Sequence, residues 1–136
     1  MLIWRSRDVV ALAVLTCAAG SARAQAAAPA SWSGSAAAQL KASLRALAAA
    51  QSRYREQRGG YASTPTALGM RSEAGVRLEV TAASATGWQA RAVHQSHPGR
   101  SCVIFVGTVA GREAPRTEGD GEMAGEDGVP LCDRMR

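Results

Sequence analysis

The stretch QSRYREQRGGYASTPTALG, residues 51–69, decides the fold because it joins the end of a helix to the start of a sheet. Its positively charged side chains are suited to the negative end of a helix dipole: Arg53, Arg55 and Arg58. Either of the two glycines that follow, Gly59 or Gly60, can take the left-handed conformation that closes a helix. We therefore predict that a helix ends here and that Tyr61 and Leu68 turn the chain back toward a sheet.

Upstream of this stretch, the spacing of apolar and large side chains predicts one long helix that begins near Ser35. Residues on one face recur at intervals of three or four: Ala37, Leu40, Leu44, Leu47, Gln51 and Tyr54. The many alanines between them add helix propensity. Ser33 or Ser35 can cap the start of the helix.

Downstream, three runs read as strands separated by short links. Residues 75–80 and 87–94 alternate between apolar and polar side chains, whereas residues 101–109 are almost continuously apolar and β-branched. Short links between consecutive strands favour an antiparallel meander. The predicted class is α+β, with one long N-terminal helix packed on a three- to four-stranded antiparallel meander.

The N-terminus has the features of an export signal. Arg5 and Arg7 precede an apolar run of about 12 residues, and the motif Ala-Arg-Ala at residues 22–24 predicts cleavage before Gln25. We thus expect a signal peptide at residues 1–24, a flexible Ala/Ser/Pro lead at 25–34 and a globular domain at 35–136, in the periplasm or secreted. The alternatives are an uncleaved membrane anchor and lipid attachment at Cys17.

Cleavage of the signal peptide would leave two cysteines, Cys102 and Cys132. An even number of cysteines in an exported chain indicates a disulfide bond. This bond would fasten a Gly-rich, acidic C-terminal loop to the third strand. The alternative is two free thiols.

The order of these features resembles the globular part of type IV pilins and of the pseudopilins of type II secretion. The matching segments, spread over residues 40–133, are AAAQSRYREQRGGYASTPTAL, GWQARAVH, CVIFVG and GVPLC. The resemblance implies a helix that ends in a Gln-x-x-Tyr segment, a Gly-Tyr pair before the turn, and a C-terminal cysteine that pairs with the cysteine of the third strand. None of the matching segments contains a residue that carries out chemistry.

Pilins begin with a short basic leader and an apolar stem that forms the filament core, and we expect this chain to lack that stem. The expected function is that of an exported, non-enzymatic pilin-like protein acting through surface contacts, with type IV pilus or type II secretion components as partners. The alternative is a free-standing periplasmic module that binds a small ligand or DNA. The sequence does not predict a cofactor or an oligomeric state.

Three groups of side chains are candidate sites. The arginines at the helix end, together with Arg71, Arg91 and Arg100, could contact phosphates or another anion. The acidic loop carries oxygen ligands that suit calcium: Glu118, Asp120, Glu122, Glu126 and Asp127. His94 and His97 could supply two metal-ligating nitrogens. The competing interpretations are a helix terminus, a solvated loop and a polar turn. The chain lacks the Gly-x-Ser-x-Gly and phosphate-loop motifs, so we expect no enzyme.

Overall fold

The computed structural model describes Trp32 and residues 34–134. A helix, a short 3₁₀ helix and four strands follow one another along the chain: α1 (Gly34–Arg58), the 3₁₀ helix (Thr66–Leu68), β1 (Val76–Ala83), β2 (Gly87–His94), β3 (Ser101–Gly107) and β4 (Leu131–Cys132). The strands lie in the order β1-β2-β3-β4, and each neighbouring pair is antiparallel. The predicted α+β class, with one long helix on an antiparallel meander, is confirmed.

Helix α1 covers one face of the sheet with its leucines. Leu40, Leu44 and Leu47 are fully buried, and the small side chains of Ala36 and Ala50 extend the same buried stripe. These residues pack against alternate residues of the central strands: Trp88, Ala90, Ala92, Cys102 and Ile104. The small side chains of β2 let the helix approach the sheet closely, and Trp88 fills the remaining space.

The helix ends at the predicted glycines. Gly59 has a φ of 78°, in the left-handed region that a side chain disfavours, and its N–H donates a 2.8 Å hydrogen bond to the carbonyl of Arg55. Gly60 does not have a positive φ. Gly59 is therefore the residue that closes α1.

The strands match the predicted runs closely, with differences at three ends. Strand β2 has the predicted bounds, while β1 begins one residue later than predicted, at Val76, and continues past Val80 to Ala83 across a register shift between Val80 and Ala82. Strand β3 ends earlier than predicted, at Gly107, whose φ of 66° breaks the extended conformation. The backbone of Thr86 lies too close to Gly107 for any side chain there.

The C-terminal region is fastened to β3 by the predicted disulfide bond. Cys102 and Cys132 are directly opposite each other in the β3–β4 pair, with their Cα atoms 3.9 Å apart. Both sulfur atoms lie between the sheet and α1, near the carbonyl oxygen of Ala37. The bond closes a loop across 30 residues and holds a strand of only two residues in place.

Trp32 belongs to the fold, although it lies in the segment predicted to be a flexible lead (25–34). Its side chain is buried, and its indole N–H donates a 3.0 Å hydrogen bond to the carbonyl of Asp133. Helix α1 then begins at Gly34, one residue before its predicted start.

The predicted signal peptide, its cleavage site, the alternatives of an uncleaved membrane anchor and of lipid attachment at Cys17, and the cap at Ser33 lie outside the described residues. Within Trp32 and residues 34–134, no helix is sufficiently long and apolar to cross a bilayer.

Candidate functional site

Gln51 holds the segment after the helix against α1. Its side chain is fully buried; the amide oxygen accepts a hydrogen bond from the N–H of Ala62, and the amide nitrogen donates one to the carbonyl of Ala62, each 2.8 Å long. The adjacent Tyr61 donates its backbone N–H to the carbonyl of Ser84, beyond the end of β1. The helix end, the turn and the sheet are thereby joined at one place, as predicted for Tyr61.

Two arginine–tyrosine pairs surround this junction. The guanidinium of Arg55 donates a 3.0 Å hydrogen bond to the Tyr61 hydroxyl and lies 5.3 Å from the centre of its ring. The guanidinium of Arg58 lies 5.8 Å from the ring of Tyr54, one helical turn earlier. Such cation–π contacts fix the direction of both cations.

Arg53 does not join this cluster. A helix turns about 100° per residue, so Arg53 points about 160° away from Arg55 around the axis. The side chain of Arg53 is exposed and forms no hydrogen bond or ion pair with the described residues. The three candidate arginines of the helix end therefore do not form a single surface for nucleic acid or another anion.

The other arginines considered for such a surface are dispersed. Arg91 pairs with Glu79 across β1 and β2 at 3.2 Å, and Arg100 lies 3.6 Å from the carboxylate of Asp120. Arg71 is exposed in the segment between the 3₁₀ helix and β1. The fold thus distributes positive charge over several elements.

The acidic candidates for calcium are divided between two ends of β3. Asp120 accepts a hydrogen bond from the N–H of Arg134, and Glu122 forms an ion pair with the Arg134 side chain. Asp127 instead accepts a 2.6 Å hydrogen bond from the N–H of Gly107. Asp120 therefore lies next to the first residue of β3, whereas Asp127 binds its last residue, Gly107. These two ends are six residues apart, or about 20 Å of strand.

Glu126, the fourth calcium candidate, is exposed near Asp127, and Glu118 is also exposed. Within the part of the chain that the structure describes, no three His, Cys, Asp or Glu side chains are grouped so that they could hold a metal ion. The carboxylates of Asp120, Glu122 and Asp127 instead bind backbone N–H groups and arginines, so these three side chains organise the loop.

Asp133 is the best-connected carboxylate of the C-terminal region, and sequence analysis did not identify it. It is buried and accepts backbone hydrogen bonds from three residues, at 2.8, 3.0 and 2.6 Å respectively: Ser101, Gly119 and Asp120. Burial raises the pKa of Asp133, but these three bonds and a fourth from the Thr117 side chain hold it below its usual value. Asp133 is thus a structural anion that joins β3 to the loop.

The two candidate histidines lie together but serve packing. The rings of His94 and His97 meet edge to face with centroids 5.5 Å apart, and His97 contacts Trp32 in the same way. His97 is buried, whereas His94 is half-buried at the end of β2. The row of three rings packs the start of the fold against the turn between β2 and β3.

A groove of about 580 Å³ lies beside this row of rings. The C-terminal loop covers the sheet face opposite α1 near Gln89 and Phe105. The Gln89 side chain donates a hydrogen bond to the carbonyl of Glu113, and the N–H of Gly128 donates one to the carbonyl of Phe105. The loop leaves β1 and the end of β2 uncovered. We call this space the β1–β2 groove; the residues that line it include Arg77, Glu79, Arg91, Val93, His94 and Glu118. Sequence analysis identified Arg91, His94 and Glu118 singly, for other sites, but not the groove.

No model of a known protein family matches the chain, and no curated protein matches it either.

Proposed function

We propose that this is an exported, non-enzymatic protein with a pilin-like fold, which acts through surface contacts with type IV pilus or type II secretion components. The observation that carries the proposal is the disulfide bond between β3 and β4 on a helix-plus-meander fold. The pilin resemblance implies this same order, with a C-terminal cysteine paired to the third strand. A disulfide bond also suits an oxidising compartment outside the cytoplasm.

The junction at the end of α1 supports the proposal further. The Gln-x-x-Tyr segment that resembles pilins contains Gln51, which binds the backbone of Ala62, and Tyr54, which packs with Arg58. Both residues therefore form contacts at the end of α1, which is where the sequence resembles the family.

The test is photo-cross-linking in the native bacterium. A p-benzoylphenylalanine residue is introduced in place of Ala49, which is exposed on α1, or in place of Ala110, which is exposed after β3. We expect the protein in the periplasm or medium and a cross-link from at least one position to a pilin, a pseudopilin or their assembly machinery. A protein that stays in the cytoplasm, or that is exported and cross-links to none of these components, contradicts the proposal.

The second candidate is a free-standing periplasmic module that binds a small ligand. The volume of the β1–β2 groove, about 580 Å³, favours it because ligand pockets span roughly 300–1,000 Å³. The dispersal of the arginines does not favour the DNA-binding form of the same candidate.

A further inference from the structure

The β1–β2 groove is formed on two paired strands of the sheet. On β2, Trp88, Ala90 and Ala92 face the helix, so Arg91 and Val93 point to the opposite face. Val93 lies opposite Arg77 on β1, and Arg91 lies opposite Glu79. The centre of the groove is thus a square of two arginines, one glutamate and one valine on paired strands.

The charges of this square are only partly satisfied within the protein. The Arg91–Glu79 ion pair, 3.2 Å long, neutralises one arginine. Arg77 forms no ion pair or side-chain hydrogen bond with any described residue, and the side chain of Glu118 likewise has none. Among the described residues, the groove therefore presents one unpaired cation, Arg77, and two unpaired anions, Glu118 from the C-terminal loop and Glu73 from the segment before β1.

His94 adds a hydrogen-bond donor at the end of the groove. Its Nδ1 atom accepts a 3.2 Å hydrogen bond from the N–H of Ser96, so in the neutral imidazole the proton resides on Nε2. Nε2 lies against Gly75, another lining residue, where a Cβ atom would be only 2.9 Å away. Because Gly75 has no side chain, the edge of the His94 imidazole can occupy this space. The contact with the His97 ring fixes the plane of the His94 ring.

We propose that the β1–β2 groove binds a small zwitterion with an apolar side chain, such as a free α-amino acid or a dipeptide. Its carboxylate would bind the Arg77 guanidinium and the His94 Nε2–H, its ammonium group would bind Glu118, and its side chain would lie on Val93 and Pro98. This function goes beyond the pilin-like role and does not depend on it.

Ligands of a single charge fit the groove less well. An anion would also meet Glu73, Glu79 and Glu118, and a cation would meet Arg77 and Arg91. Like charges at close range in a half-enclosed site oppose binding, whereas a ligand that carries both signs can place each charge beside its opposite.

The experiment is a titration of the purified, isotope-labelled protein with L-leucine and with alanyl-leucine, followed by the backbone N–H resonances in NMR spectra. We expect saturable shifts at residues that line the groove, at ligand concentrations below about 20 mM. The absence of saturable shifts with both ligands up to that concentration overturns the proposal. N-acetylleucine and leucinamide, each of which lacks one charge, should bind at least about tenfold more weakly than leucine. Equal binding by either overturns the need for a zwitterion.

Matched variants locate the charges. Arg77→Gln should weaken leucine binding about tenfold or more, while Arg45→Gln, which removes an exposed arginine from α1, should leave it unchanged. Glu118→Gln should weaken binding of leucine but not of N-acetylleucine, and Glu126→Gln, on a distant part of the loop, should change neither. All four side chains are exposed and have no partners within the described residues, so the variants should fold. Equal effects of a variant and its control place the ligand elsewhere and contradict the proposal.

Discussion

The Asp133 carboxylate accepts a 2.8 Å hydrogen bond from the backbone N–H of Ser101, the first residue of β3. In return, the N–H of Asp133 donates to the carbonyl of Ser101 at 3.0 Å. This exchange continues the β3–β4 pairing beyond the disulfide bond. Because the same carboxylate also binds the loop at Gly119 and Asp120, the short strand β4 is held from two sides.

We expect Asp133→Asn to lower the free energy of unfolding by about 2 kcal/mol, because an amide oxygen is a weaker acceptor than a buried carboxylate and the amide NH₂ meets N–H donors. Urea denaturation measures the difference. Glu126→Gln is the control, since Glu126 is exposed and should change stability by less than about 0.5 kcal/mol. Equal stability of Asp133→Asn and the native protein would refute the structural role of this carboxylate.

The same residue predicts a dependence of stability on pH. The pKa of Asp133 lies below the ordinary value of 3.8, so its contribution is present above that value and is lost as the pH falls through the folded-state pKa. The native protein should therefore lose stability more steeply than Asp133→Asn at acidic pH, since the other carboxylates titrate in both. Parallel curves of unfolding free energy between pH 6 and pH 2 would show that Asp133 does not titrate in this way.

Removal of the disulfide bond should destabilise the protein strongly. For a bond that spans 30 residues, the chain-entropy model gives about 3–4 kcal/mol. The measurement is the urea midpoint of a Cys102→Ala, Cys132→Ala double variant with and without a thiol reductant. The reductant should lower the midpoint of the native protein and leave the double variant unchanged. A native midpoint that does not respond to complete reduction would contradict the prediction.

Gln51→Ala should cost about 2–3 kcal/mol. It removes both partners of Ala62 and leaves a buried N–H and carbonyl unsatisfied. Gln57→Ala is the matched control because Gln57 is exposed on the same helix. Denaturation of both variants tests whether the two hydrogen bonds between Gln51 and Ala62 stabilise the fold, and similar midpoints would contradict the prediction.

Gly59→Ala should destabilise the helix end by about 1 kcal/mol, because alanine at a φ of 78° is strained. Gly60→Ala offers the contrast: that glycine has no positive φ, and a Cβ atom there would approach its nearest neighbour only to 3.8 Å. The thermal unfolding temperature of Gly59→Ala should lie below that of Gly60→Ala. The reverse order would mean that Gly60 closes the helix.

Local patterns were sufficient for most of the fold. Alternation of side chains located β2 without error, and the glycines located the end of α1. The extension of β1 was not predictable, because the irregularity near Val80 and Ala82 depends on pairing with β2. The arginines at the helix end show another limit of prediction from sequence. The helical repeat alone predicts that Arg53 and Arg55 point in different directions, whereas the contact of Arg55 with Tyr61 depends on the turn that Gln51 holds in place.

The structural role of Asp133 and the β1–β2 groove could not be predicted for a related reason. Asp133 binds residues 13–32 positions away, and nothing in its neighbours along the chain indicates a buried carboxylate. The groove arises where the C-terminal loop leaves the sheet uncovered, and the path of that loop is set by tertiary contacts such as that of Gln89 with Glu113.

The hydrogen bond from Trp32 to Asp133 joins residues that are 101 positions apart. Contacts of such high sequence separation carry a large loop-closure entropy until the intervening chain has collapsed. The hairpins of the meander can pair early, since their partners are close in sequence, whereas the Trp32 contact has to wait for them. We therefore expect this contact to form after the folding transition state, so that its loss should accelerate unfolding and leave the folding rate nearly unchanged.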